Sequence, residues 1–223
     1  MAYILNIETA TTNCSVSISK NRETIALKED YDSKYSHAER LHVYIDAVLK
    51  EAGISRNDLD AIAVSKGPGS YTGLRIGVSS AKGLCYALEK PLISVPTLQS
   101  LAHQVSAESG VIIPMLDARR MEVYSAIFDV EFQQIRETEA QILDAESFQN
   151  YLEEDSVYFI GNGVEKTKDI IQHPNAVFIE KKLPSAQEMS ALAFSKYKIG
   201  DFEDVAYFEP YYLKDFVTTK SKK

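Results

Sequence analysis

The residues best equipped for chemistry in this chain are four histidines, two cysteines, carboxylates at two turns and one glycine-rich segment. His37 and His42 stand five residues apart, which on a helix separates them by about 140° and keeps them from sharing one metal ion. A zinc peptidase helix needs HExxH, with its histidines at i and i+4, and His37-Ala38-Glu39-Arg40-Leu41-His42 does not supply it. His103 and His173 have no acidic or cysteine companion at ligand spacing and read as solvated or capping residues. No GxSxG nucleophile elbow occurs, although a serine triad assembled only in space would leave no local signature. Cys14 and Cys85 lie far apart with no CxxC, as expected of buried thiols in a reducing cytosol.

The glycine segment is the densest signal. Gly67, Gly69, Gly73, Gly77 and Gly83 are half of the ten glycines in the chain. Gly67-Pro68-Gly69-Ser70-Tyr71-Thr72-Gly73 spaces them as GxGxxxG, one residue longer than the dinucleotide fingerprint, and follows a helix instead of opening the first βα turn. A P-loop needs Lys-Ser/Thr after its last glycine, where this chain has Leu74-Arg75. A strand–GPG–helix order still leaves N–H groups near Gly67 and Gly69 at a helix N-terminus. Weak anion binding and a plain tight turn both fit. Within the helix, Gly73, Gly77 and Ala81 recur at i, i+4 and i+8 on one face. Each interior glycine costs about 1 kcal/mol relative to alanine, so close approach of another element must offset it. That element is either the protein's own first helix or a helix of another molecule.

The elements that position these residues read as two similar halves. "AYILNIE" is an apolar strand, "TATTN" a turn, "CSVSIS" an alternating strand and "TIALKED" a third. Ser36 and Glu39 match a capping box, and Leu41, Tyr44, Ile45, Val48 and Leu49 then recur at helical spacing up to the stop at Gly53. The strand "AIAVS" leads into the glycine segment and a helix from about Thr72 to Leu88. "LISV" and a helix over 97–107 follow. The opening then repeats: "VIIPML" as strand, "DARR" as turn, "EVYSAIFDV" as strand. A helix near 144–154, the strand "VYFI" and a helix from Ala186 to Ile199 complete the second half. The pattern predicts an α/β protein of two duplicated lobes, residues 1–100 and 101–223.

Composition narrows the function classes. A hydrophobic content of 45% with 25% charged residues is that of a water-soluble globular protein. No apolar run reaches the ~18 residues that span a bilayer, and the N-terminus lacks a secretory signal's basic and apolar regions. The expectation is a cytoplasmic protein with no membrane contact. A net charge of −8 disfavours tight nucleic-acid binding by this chain alone. The one basic cluster, Lys214 with Lys220, Lys222 and Lys223, reads as a solvated tail.

The two turns bear on phosphate chemistry. In ATPases built of two actin-like lobes, the first hairpin turn of each lobe cradles phosphates through backbone N–H groups. Glu8-Thr9-Ala10-Thr11-Thr12 fits such a turn. Asp117-Ala118-Arg119-Arg120-Met121-Glu122 has no glycine, and its side chains hinder close approach.

Taken together, "AIAVSKGPGSYTGLRIGVSSAKGL", "ILNIETATTNCSVSI", "MLDARRMEVYSAIFD" and "EPYYLKD" resemble the TsaB (YeaZ) family of bacterial tRNA threonylcarbamoyladenosine biosynthesis, from end to end of the chain. The resemblance implies two tandem actin-like (ribonuclease-H-like) lobes, with the tail packing back on the first. It also implies a non-catalytic subunit that binds and activates the paralogous transferase TsaD and works with TsaE, while TsaC supplies the threonylcarbamoyl-adenylate. A homodimer would form in the absence of TsaD, and tRNA would be reached indirectly through the complex. TsaD-like proteins carry a metal-binding HxxxH where this chain has Thr97 and Leu101, and a glycine-rich SGGHT turn where it has "DARRM". No catalytic residue, metal or resident cofactor is therefore expected in the isolated chain, with ATP or ADP reserved for the complex and only weak nucleotide or anion contacts at Glu8, Thr11, Gly67 and Gly69. By the same resemblance the partner interface falls on His37, Arg40, Leu41 and Tyr44 of the first helix and Gly73, Leu74, Ile76, Gly77, Ser80 and Ala81 of the second. The glycine ladder becomes an intermolecular contact. An actin-like ATPase or a glycoprotease-type peptidase is the alternative reading.

Overall fold

Two short polar loops and an alternation of period two make the first thirty residues a three-stranded meander, and the same logic operates again after residue 110. The computed structural model describes residues 1–31 and 37–214. Strands β1 (Tyr3–Glu8), β2 (Cys14–Lys20) and β3 (Glu23–Asp30) pair antiparallel, and β4 (Ala61–Gly67) and β5 (Leu92–Pro96) add in parallel, giving the order β3-β2-β1-β4-β5. The second sheet uses β6 (Val111–Asp117), β7 (Glu122–Phe128), β8 (Gln134–Ile142), β9 (Val157–Ile160) and β10 (Ala176–Ile179) in the order β10-β9-β6-β7-β8. Read from the other edge, this is the same arrangement, again with an antiparallel meander followed by parallel strands. The chain is an α/β protein of two tandem actin-like lobes, as its sequence predicts.

Helices α1 (His37–Ala52) and α2 (Tyr71–Leu88) cover one face of the first sheet. Leu41, Ile45 and Val48 of α1 and Val78, Ala81 and Cys85 of α2 close over Leu5, Ile7, Val16, Ile62 and Val64. Full burial of each large aliphatic side chain contributes about 1.5–3 kcal/mol. Gly53 ends α1 with φ +68°, a conformation that glycine adopts without strain. Ser70 caps α2, its Oγ accepting the Gly73 N–H at 3.3 Å. Ser36, read as a cap for α1, lies outside the described residues.

The remaining faces are covered by an exchange of helices between lobes. Helix α3 (Thr97–Ala102) follows the first sheet in sequence but buries Leu98, Leu101 and Ala102 against Ile112, Leu116, Ala126 and Phe128 of the second. Helix α6 (Ala186–Ile199), last in the chain, returns to the first sheet and packs Ala186, Met189 and Ala193 on Ile4, Ala61, Ala63, Ile93 and Val95. Four alanines at this contact let the helix sit close to the strands. The sequence reading groups 186–199 with the second lobe, because an amphipathic pattern says that a helix is buried but not against which sheet.

Helices α4 (Gln149–Glu154) and α5 (Val164–Ile170) complete the second lobe. The helix read over 97–107 stops at Ala102, and the one read near 144–154 starts at Gln149. Strands β8 and β10 and helix α5 have no counterpart in the sequence reading. After α6 the chain runs back along the first lobe: Glu203 N–H donates to Leu92 O at 2.8 Å, and Lys82 Nζ holds the carbonyls of Ala206 (3.1 Å) and Phe208 (2.9 Å). No helix among the described residues is long and apolar enough to cross a membrane.

Candidate functional site

The glycine ladder faces inward, onto the first turn of its own lobe. A Cβ built on Gly73 would stand 2.1 Å from the carbonyl oxygen of Thr9, and one built on Gly77 would stand 2.2 Å from Thr9 Oγ1. Thr9 Oγ1 itself donates to Gly73 O at 2.9 Å. The third rung, Ala81, is sealed in the core of the first lobe. The close approach that offsets the poor helix propensity of Gly73 and Gly77 is thus made within the chain, by the β1–β2 turn. Gly83, outside the ladder, has open space where its Cβ would be.

The first turn is locked from every side. Ser70 N–H donates to Ala10 O at 2.7 Å, and a Cβ on Gly69 would collide with Ala10. His37 is buried, and its Nε2 donates to Thr11 O at 2.7 Å, with desolvation holding its pKa below the usual imidazole range. Glu8 is fully buried. Its Oε1 accepts the Ala10 N–H at 2.6 Å while Oε2 makes no hydrogen bond. Burial pushes this carboxyl up to about 7, opposed mainly by the bond from Ala10. Glu8 therefore organises the turn from beneath. Gly67 N–H donates to Thr97 Oγ1 at 3.1 Å, so the loop N–H groups that could draw an anion to Gly67, Ser70 and Gly73 have partners within the fold.

The second turn is closed by its own hydrogen bonds. Ala118 N–H donates to Glu122 O (3.0 Å), Glu122 N–H to Arg119 O (3.2 Å) and Arg119 N–H to Asp117 Oδ1 (2.7 Å). Arg119 and Arg120 both adopt left-handed backbone, φ +70° and +52°. Lys166 of α5 braces the turn, pairing with Asp117 and donating to the carbonyls of Arg120 and Glu122, each at 2.8 Å.

Between the turns lies a cleft of about 550 Å³, lined by Ala10 and Thr11, by Pro68–Thr72, by Leu116–Arg119 and by Tyr211–Lys214. The tail thus forms one wall. Tyr211 N–H donates to Lys66 O at 2.7 Å, Tyr212 lies 4.9 Å from Tyr71 ring to ring, and Lys214 pairs with Glu122 of the second lobe. Sequence reasoning missed these tail residues as cleft lining. The apolar-aromatic run "PYYL" next to a lysine is the signal that could have found them.

Among the residues expected at a partner interface, burial separates two groups. His37, Leu41, Gly73, Leu74, Gly77 and Ala81 are buried within the monomer and present little surface. Ile76 and Ser80 are partly exposed: Ile76 packs at the edge of the first lobe's core, and Ser80 Oγ lies 3.5 Å from His42 Nε2 of α1. Arg40 and Tyr44 sit on the opposite flank of α1 and both bond Asp30 of β3, Tyr44 through its hydroxyl at 3.3 Å. Val43 and Tyr86 stand well out from the two helices. Thr97, at an expected ligand position of metal-binding relatives, has its Oγ1 2.6 Å from Ser65 Oγ, and Leu101 is in the core. His103 stacks on Phe132 and His173 Nδ1 accepts the Asn175 N–H. Both cysteines are free and buried, with thiols pushed up to about 11 (Cys14) and about 12 (Cys85) by desolvation.

Comparison with known proteins accords with this geometry. A family model described as TsaD, tRNA N6-adenosine threonylcarbamoyltransferase, matches residues 31–220. The chain is 31% identical to the tRNA threonylcarbamoyladenosine biosynthesis protein TsaB of Escherichia coli over 97% of its own length and 96% of that protein. It is 31% identical to the protein of the same name from Bacillus subtilis over 76% of this chain and 75% of that one. Among solved structures, YeaZ from Pseudomonas aeruginosa superposes with a TM-score of 0.79 at 26% identity, covering 96% of this chain and all of that one.

Proposed function

Since this chain belongs to the TsaB family of tRNA threonylcarbamoyladenosine biosynthesis proteins, we propose that it is the non-catalytic subunit that binds and activates TsaD in that pathway. The observation that carries this reading is the internal hydrogen bonding that ties up part of both turns. Ala10, Ala118 and Arg119 spend their N–H groups on Glu8, Glu122 and Asp117, which leaves a phosphate fewer turn donors to take. The positions of the metal ligands of TsaD-like proteins hold a threonine and a leucine, neither of which offers the imidazole donor that chemistry needs. These features weigh against an ATPase or a peptidase.

TsaD would meet the outer surface of α1 and α2, where Val43, Ile76, Ser80 and Leu84 are exposed in whole or part. The same surface would pair two copies of this chain in the absence of TsaD. TsaE joins the complex, ATP or ADP binds there and not to the isolated chain, and the assembly works in the cytoplasm. The test is co-purification of the chain with TsaD from its own organism, together with threonylcarbamoyl transfer to tRNA in the reconstituted system. Val43→Arg with Tyr86→Arg, at the most exposed apolar side chains of the two helices, should abolish co-elution and transfer while leaving the circular dichroism melt of the lone chain unchanged. Retention of TsaD by this double variant would refute the assignment of the surface. Transfer by TsaD at full rate without this chain would refute the function.

A further inference from the structure

A chain with a net charge of −8 should repel RNA, yet the mouth of its cleft is not acidic in effect. The carboxylate of Asp117 is engaged by Lys166 and the Arg119 N–H, and that of Glu122 is engaged by Lys214. Arg119 and Arg120, in the same turn, are exposed and have no ion-pair partner among the described residues. Both hold left-handed backbone, a conformation that costs a residue with a side chain about 1 kcal/mol or more. Lys166 and the turn's own hydrogen bonds fix that geometry, so the two guanidiniums are presented from a rigid base. With the N–H groups of Ala118, Arg119 and Glu122 spent within the turn, the side chains of Arg119 and Arg120 are the cations an anion meets here.

Aromatic faces line the same opening. Tyr71 and Tyr212 lie 4.9 Å apart at 35°, from the first lobe and the tail, and Tyr124 lines the wall beside Arg119. Tyr212 is 37% exposed, and Arg75 sits 5.4 Å over the Tyr71 ring. Unpaired arginines beside the exposed ring of Tyr212 form the combination that holds single-stranded nucleic acid, cations on the phosphates and a ring against a base. An acidic peptide would use the arginines but has no need of the rings.

We propose that the mouth of this cleft is a landing site for a single-stranded segment of RNA, with Arg119 and Arg120 on phosphodiester oxygens and Tyr212, backed by Tyr71, offering a ring face to a base. The inference rests on the reading that the chain serves an RNA-modifying complex, and adds that this chain touches the RNA itself. Affinity in isolation is low because of the overall charge, and the site contributes in full once TsaD supplies the rest of the binding surface.

The test measures fluorescence anisotropy of a short fluorescein-labelled single-stranded oligoribonucleotide with the isolated full chain at low salt, with duplex RNA and ATP as parallel arms. Arg119→Gln with Arg120→Gln should weaken single-strand binding roughly tenfold and lower the salt slope by about 1.4, the value for two lost phosphate contacts. Tyr212→Ala should weaken the single-strand arm and leave the salt slope unchanged. Arg22→Gln, on an exposed arginine of the first lobe bonded to Ser195, should change neither. Thermal melts confirm that each variant is folded, and the same variants are then measured on tRNA with the TsaD complex. Wild-type chain that binds no single strand at the lowest salt overturns the proposal. So does an arginine variant with unchanged affinity and slope, or duplex RNA bound equally well with Tyr212→Ala silent. The RNA arms use the chain alone, so a failure of TsaD to co-purify is read separately.

Discussion

Gly77 and Thr9 touch across the first lobe so closely that a single added carbon on Gly77 would lie 2.2 Å from Thr9 Oγ1. Gly77→Leu is therefore expected to destabilise the monomer, by about 1–3 kcal/mol or more, because Thr9 and the turn it anchors must move. Gly83→Ala, in the same helix with nothing within 4 Å of its Cβ, should stabilise by up to ~1 kcal/mol through propensity alone. Thermal melts of the two variants decide the matter. Equal melting temperatures would mean that the ladder does not seat the turn.

The buried carboxyl of Glu8 gives stability a pH dependence of known sign. Its pKa rises from an ordinary 4.5 to about 7 in the fold, so the folded state binds the proton more tightly. The stability this supplies is full below about pH 4.5 and is lost as pH rises through 7, about 3 kcal/mol at most. Glu188, pushed up to about 7 by burial, acts in the same direction, whereas His37, held low by burial, costs stability on the acid side. Glu8→Gln isolates the first contribution. The variant should gain on wild type as pH rises from 5 to 8 in urea titrations, and a difference independent of pH would contradict the assignment.

Nucleotide should bind the isolated chain only weakly, because the N–H groups of Ala10, Ala118 and Arg119 in the two turns are already bonded. Titration calorimetry with ATP and Mg²⁺ is expected to give no saturable micromolar binding. A micromolar Kd for the lone chain would mean that the turns open readily and that their internal bonds are no barrier.

Met189 tests the helix exchange. It is fully buried on α6 against the first sheet, so Met189→Asp should cost roughly 3 kcal/mol or more by placing an unpaired charge there. Hydrogen exchange should then report lost protection in β1, β4 and β5, which lie far from residue 189 in sequence. Loss confined to the second lobe would contradict the packing.

What could be read in advance follows from what a pattern encodes. The first meander, the β6–β7 pair, α1, α2 and α6 were legible, since period two and period 3.6 mark the buried face of each element. The blocked second turn was legible too, because Arg119-Arg120-Met121 has no glycine to bring a phosphate near. Strand β8 was not: six of its nine residues from Gln134 to Ile142 are polar or charged, and Ile135, Ala140 and Ile142 do not recur with period two at this sheet edge. The glycine ladder was half legible. Its spacing required a close neighbour, but Gly73 and Gly77 carry no side chain to say whether that neighbour is a helix of another chain or the backbone of Thr9.

The crossing of α3 and α6 between lobes also sets the order in which this molecule can be made. When β5 has left the ribosome, one face of the first sheet, with Ile4, Ala63 and Ile93 upon it, still awaits a helix about 90 residues downstream. At translation speeds of ~5–20 residues per second that surface stays bare for several seconds, a window in which chaperones or aggregation compete for it. The two halves therefore share one folding event at the end of synthesis. Stalled nascent chains ending before α6 should be digested by protease in both lobes, whereas a protected first lobe in such chains would show that it matures on its own.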